Sequence, residues 1–114
     1  MLVHLARTQT KLGQFGEAEA TAMRAARLLD AAHSPDLHQA LECLASIKAG
    51  LGENEEADAL FQGAIQKLQD AVGSDHPDLA EYMEHRAQVV ERLGRNADAV
   101  QLRQQALLLR QAPV

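Results

Sequence analysis

Two histidines and the only cysteine of this 114-residue chain share one offset: His4, Cys43 and His85 each lie nine residues before the glycine of a Leu-Gly pair. Imidazole and thiolate are both good zinc ligands, and a thiolate is also a ready nucleophile. One such residue per repeating unit places the three in file. Packed helices lie about 8–10 Å apart, whereas zinc needs its ligands about 2.0–2.3 Å away, so the file converges only with backbone distortion. The expected arrangement is two histidines and a half-buried cysteine in file, with no metal and no catalytic residue. No other enzyme signature survives. Gly13-Gln14-Phe15-Gly16 lacks the Lys-Ser/Thr tail and preceding strand of a phosphate loop. There is no His-Glu-x-x-His pattern, and His33 and His38 are five residues apart across a proline. No cofactor is implied.

The polar residues around that file share a face. Glu42 and Glu84 stand ten residues before their glycines, Gln39 and Glu81 thirteen before, and Arg7, Ser46 and Gln88 six before. On a helix these offsets line up. Charge is uneven as well: between Ser34 and Asp75 there are two basic residues (Lys48, Lys67) against eight acidic ones (Asp36, Glu42, Glu53, Glu55, Glu56, Asp58, Asp70, Asp75). Two readings stay open at this point. Either Glu42 and Glu84 form a carboxylate rim suited to a basic or backbone-donating partner segment, or they belong to a solvated face. Glu53, Glu55, Glu56 and Asp58 begin a helix and suit its dipole.

The elements that must position these residues are announced by the turns. Leu12-Gly13, Leu51-Gly52 and Leu93-Gly94 recur 39 and then 42 residues apart, a period that marks a stacked repeat. Alanines recur with them: Ala6, Ala45 and Ala87 seven before each glycine, Ala18, Ala57 and Ala99 five after, and Ala25, Ala64 and Ala106 twelve after. Small residues at fixed distances from a turn are what two closely packed antiparallel helices require. The spacing predicts helices over about 2–12, 15–32, 36–51, 54–72, 78–93 and 96–111. Pro35 and Pro77 suit the first turn of the third and fifth, with Ser34 and His76 as caps. Asn54 and Asn96 mark the starts of the fourth and sixth, and Pro113 ends any helix that reaches it. The three residues that separate the two intervals fall in a connection, where length changes are best tolerated.

Those motifs resemble the tetratricopeptide repeat, whose signature runs Leu-Gly, then an acidic residue and Ala, then Ala seven further on. The three turns read Leu12-Gly13-Gln14-Phe15-Gly16-Glu17-Ala18, Leu51-Gly52-Glu53-Asn54-Glu55-Glu56-Ala57 and Leu93-Gly94-Arg95-Asn96-Ala97-Asp98-Ala99. The 42-residue period and Gly73-Ser74-Asp75-His76-Pro77-Asp78-Leu79-Ala80 resemble the kinesin-light-chain-like subgroup. The resemblance implies an all-α fold: a right-handed α-solenoid of about three helix-turn-helix repeats and six helices, one domain over 1–114 with repeats near 1–33, 34–75 and 76–112. It implies a non-enzymatic module that binds a partner peptide or protein segment in its concave groove, through His4, Arg7, Gln39, Glu42, Cys43, Ser46, Glu81, Glu84, His85 and Gln88. Two departures stand out. Only Phe15 keeps the aromatic that members usually carry two residues after the glycine, Asn54 and Asn96 replacing it. His4, Cys43 and His85 occupy the position where the subgroup carries the asparagine that holds a bound peptide's backbone.

Composition excludes other partners. A net charge of −5 and 3% aromatic residues leave neither a basic stripe nor a stacking platform for nucleic acid. No apolar run approaches the roughly 20 residues that cross a bilayer. A single cysteine and a start without a secretory pattern give a cytoplasmic expectation. Leu107, Leu108 and Leu109 are consecutive near the end, where a stacked array normally carries a polar cap. The alternative expectation is therefore an assembly or regulatory segment of a larger protein, self-associating through uncapped ends.

Overall fold

The computed structural model of the chain describes residues 2–111, and Pro113 lies outside them. Six helices follow one another: α1 (Leu2–Lys11), α2 (Phe15–Ala31), α3 (Leu37–Gly50), α4 (Asn54–Val72), α5 (Asp78–Arg92) and α6 (Asn96–Gln111), with no strand among the described residues. Each helix packs chiefly on its neighbours in the chain, giving three antiparallel hairpins, α1–α2, α3–α4 and α5–α6, stacked side by side. The core is correspondingly strung out. One cluster joins the first hairpin to α3, a small one links α3, α4 and α5 through Phe61 and Val89, and a third fills the last hairpin against α4. This is an α-solenoid.

The hairpins close the same way each time. After α1, α3 and α5 the glycine takes a left-handed conformation (φ 78°, 81° and 82°), which only glycine adopts without strain. The amide one residue further reaches back to a carbonyl in the last turn: Gln14 to Gln9, Glu53 to Lys48 and Arg95 to Val90, each at 2.9 Å. That six-to-one bond, paired with one from the glycine amide, is the Schellman termination. Between the closed helices lie the nine recurring alanines, none more than 3% exposed. A larger residue there must push two helix axes apart, at a cost of about 1–3 kcal/mol.

Helix starts are divided into two kinds. Ser34 Oγ and His76 Nδ1 each accept the amide two residues on (Asp36 and Asp78, both 3.1 Å), closing a turn across a proline. The caps expected there are displaced, since the N-cap positions are Asp36 and Pro77 and neither carries a side-chain cap bond. Helices α4 and α6 begin at Asn54 and Asn96, directly out of the Schellman turn. The Asn54 side chain does not cap; its Oδ1 is buried without a partner.

Curvature follows from which helices meet. The inner helices α1, α3 and α5 touch in sequence, whereas α2, α4 and α6 make no contact with one another among the described residues. A stack that is tighter on one side is concave there.

Candidate functional site

The concave side holds a groove of about 570 Å³ that spans all three inner helices. His4 and Arg7 of α1 form one wall, Asp78 and Glu81 in the first turn of α5 the other, and His38, Gln39 and Glu42 of α3 lie between. Tyr82 and Leu68 close the floor. His38 Nδ1 and the Tyr82 hydroxyl are hydrogen-bonded at 3.0 Å, with the rings 5.9 Å apart and tilted. Burial lowers the His38 pKa against the pull of Asp36, Asp78 and Glu42, so the ring is neutral at pH 7. Burial, then the Glu42 charge, pushes the Tyr82 phenol up. The groove floor is therefore uncharged.

Glu42 ties the three inner helices together. Its Oε2 lies 3.4 Å from Arg7 Nη2 of α1, and its Oε1 3.4 Å from His85 Nδ1 of α5, with Ser46 Oγ donating at 3.3 Å. The His85 contact is ionic rather than a well-formed hydrogen bond, since Nδ1 has no geometrically sound partner. Burial works against ionised Glu42, but His85, Arg7 and Ser46 together outweigh it and hold its pKa below the usual range. In return the Glu42 carboxylate raises His85 above an ordinary imidazole, burial opposing it.

The other residues singled out by offset distribute as follows. Ser46, His85 and Gln88 line an adjoining hollow of about 290 Å³, with Phe61 and Val89 beneath and Arg92 at the rim. Glu84 pairs with Arg110 of α6. Cys43 is 4% exposed, packed in the first core cluster, and its thiol pKa is raised by burial and by Glu42. His4, Cys43 and His85 do not converge, and no cluster of three or more His, Cys, Asp or Glu side chains is placed to hold a metal among the described residues. Leu107 and Leu108 are exposed on α6, at 54% and 68%, while Leu109 packs against the last core cluster.

Offsets alone missed His38 and Tyr82. Tyr82 occupies the position of buried Ala40 in the second hairpin, and His38 that of buried Ala80 in the third. By repeat logic both read as core. The only tyrosine of the chain standing where its repeat-mate is alanine was the available signal.

A profile of the tetratricopeptide repeat matches residues 36–112, from just before α3 through the last helix. The chain belongs to the tetratricopeptide repeat family. Its first hairpin lies outside the matched range but carries the same left-handed glycine, reverse bond and alanine positions as the other two. Tetratricopeptide repeats generally mediate protein–protein interaction and typically act as non-enzymatic modules. No curated protein matches the chain. Among the described residues no helix is long and apolar enough to cross a membrane.

Proposed function

We propose that the chain is a non-enzymatic module whose concave groove grips an extended segment of a partner protein. The carrying observation is the groove itself, open along three helices and braced by the Arg7–Glu42–His85 chain of contacts. A surface already shaped loses little entropy on binding, so modest contacts suffice. We read the repeats as kinesin-light-chain-like on the Ser-Asp-His-Pro-Asp-Leu-Ala stretch that leads into α5, and the whole as a single domain. His4 and His85, exposed or half-buried, take the asparagine's place as donors to a bound backbone.

The test is selection of peptides from a random library on the full chain, followed by binding to variants. Gln39→Arg and Gln88→Arg, on the groove side, should each weaken selected peptides at least tenfold. Lys67→Glu, on exposed α4, should leave them unchanged. Equal loss at all three, or none, would dismiss the groove as the binding surface.

One observation favours a second reading, self-association through the last helix. Val100 and Leu107 stand where α4 carries Asp58 and Ile65, both buried, yet both are more than half exposed. On that reading Leu108→Glu removes a concentration-dependent rise in light scattering.

A further inference from the structure

The two walls of the groove carry opposite charge. On α5, Asp78 and Glu81 are exposed. Among the described residues Glu81 forms no ion pair, and Asp78 meets only His76 of its own turn, at 3.6 Å. On α1, Arg7 is 43% exposed and uses a single terminal nitrogen on Glu42, at the long distance of 3.4 Å. Its remaining N–H donors, together with exposed His4, face the groove's other end. Between the walls Glu42 is flanked by Arg7 on one side and His85 on the other, and His38, Gln39 and Tyr82 add no charge.

The separation of the walls sets a length. Neighbouring packed helices lie about 8–10 Å apart, so α1 and α5, with α3 between them, are roughly 16–20 Å apart by the same spacing. An extended chain advances about 3.3 Å per residue, and five or six residues cover that gap. The Debye length in physiological salt is about 8 Å, so each wall acts on its own part of a ligand instead of cancelling the other.

We propose that the groove selects an extended protein segment with a basic and an acidic side chain five or six residues apart, the basic one against Asp78 and Glu81, the acidic one against Arg7 and His4. This rests on the groove reading above and adds the chemistry of its occupant. Gln39, at the midpoint, offers an amide to the segment's backbone, and the hydrogen-bonded His38–Tyr82 pair supplies a flat floor beneath it. A uniformly acidic segment meets repulsion at α5, and a uniformly basic one meets it at α1.

Fluorescence anisotropy on the full chain tests this with four end-blocked, labelled heptapeptides of alanine and serine. One carries Lys and Glu six positions apart, one carries them adjacent, one has Lys at both ends and one Glu at both ends. The spaced pair should bind at least fivefold tighter than each of the others, with the advantage shrinking between 50 and 300 mM salt. Glu81→Gln, which leaves Asp78 in place, should shrink the spaced pair's advantage, and Glu81→Lys, which brings that wall to no net charge, should leave the spaced pair and the doubly acidic peptide within twofold. Circular dichroism shows whether each variant keeps its helices, and Glu81, exposed and without an ion pair, is not needed for them. If the peptides bind alike to the unaltered chain, or Glu81→Lys leaves the advantage of the spaced pair undiminished, the charge rule is overturned while the groove survives. If none binds, and library selection also yields no groove ligand, both fall.

Discussion

The two junctions between hairpins share one acid position but are centred on ions of opposite sign. At the first, a cation is ringed by carboxylates: Lys48 Nζ of α3 lies 3.2 Å from Glu19, 3.0 Å from Glu53 and 3.2 Å from Glu56. At the second, a carboxylate is ringed by cations: Asp58 of α4 accepts from Arg86 Nε at 2.8 Å, Arg95 Nη2 at 2.6 Å and Gln62 Nε2 at 3.0 Å. Glu19 and Asp58 are equivalent residues, each six after its turn glycine, so the acid that reaches forward to the next hairpin recurs while its environment changes. Asp58 is 5% exposed and Glu53 and Glu56 are open to water. The first junction makes up the difference with an apolar contact, Phe15 lying so close to Gly50 that an added Cβ would sit 2.9 Å from its ring. In the second, Asn54 and Arg92 take those two positions. One scaffold thus joins its units by a buried charge at one step and by an aromatic ring at the next.

The largest expected effect comes from removing the buried acid. Asp58→Ala leaves Arg86 without a partner and should cost about 2–3 kcal/mol, somewhat less than a fully enclosed pair because both arginines reach water. Chemical denaturation measures it. The double variant Asp58→Val with Arg86→Leu copies Val100 and Leu44 from equivalent positions and should recover most of the loss; failure to recover would mean the charge itself is required. Next comes Phe15→Ala, expected to cost about 2 kcal/mol because the ring is only half-buried. A loss at Phe15 smaller than that at Lys48 would reverse the contrast between the junctions.

A smaller effect, of opposite sign, belongs to the connections. The chain turns into α3 through His33 at φ 50°, a left-handed conformation that non-glycine residues resist, whereas the corresponding turn into α5 uses Gly73 at φ 88°. His33→Gly should raise stability by roughly 0.5–1 kcal/mol. Lys48→Met should change it by less than about 1 kcal/mol and by nothing measurable in high salt, because its partners are solvated.

The smallest is the pH response. His85 has its pKa raised in the fold, so its contribution is complete below about 6.5, the free value, and fades as pH climbs through the raised one. His38 has its pKa lowered, so its contribution is complete above about 6.5, the free value, and is lost as pH falls from there through the lowered one. The two oppose each other near neutrality. His85→Gln should therefore leave a melting temperature that rises between pH 5.5 and 7.5, and His38→Gln one that falls over the same interval.

Helix order, turn positions and the alanine seams were legible because each depends on residues close in sequence: a glycine that must go left-handed, and small residues at fixed distances from it. Arg7, Gln39, Glu42 and Glu81 could be brought to one groove by the same periodicity. What the pattern concealed was who pairs with whom across a junction. Asp58 sits among Glu53, Glu55 and Glu56 at a helix start, where attraction to the dipole accounts for any acid. Only the depth of its position and the reach of Arg86 and Arg95 from the next hairpin separate it from its neighbours. Glu42 and Glu84 share an offset yet differ in the same way: Glu42 is braced within the inner face and Glu84 turns to Arg110. Carboxylates that look interchangeable in a list of offsets are distinguished by the elements packed over them.

Because consecutive helices carry most of the packing and the inner helices touch one another only lightly, the molecule is joined like a folded strip, each crease shared by two neighbouring panels. Bending it works against the α2–α3 and α4–α5 seams, and every change in arc is felt as well on the inner face, where Glu42 spans from the first hairpin to the last. A ligand lying along that face would stiffen the whole strip, and its arrival should be visible away from the groove as slower amide exchange in α2 and α4.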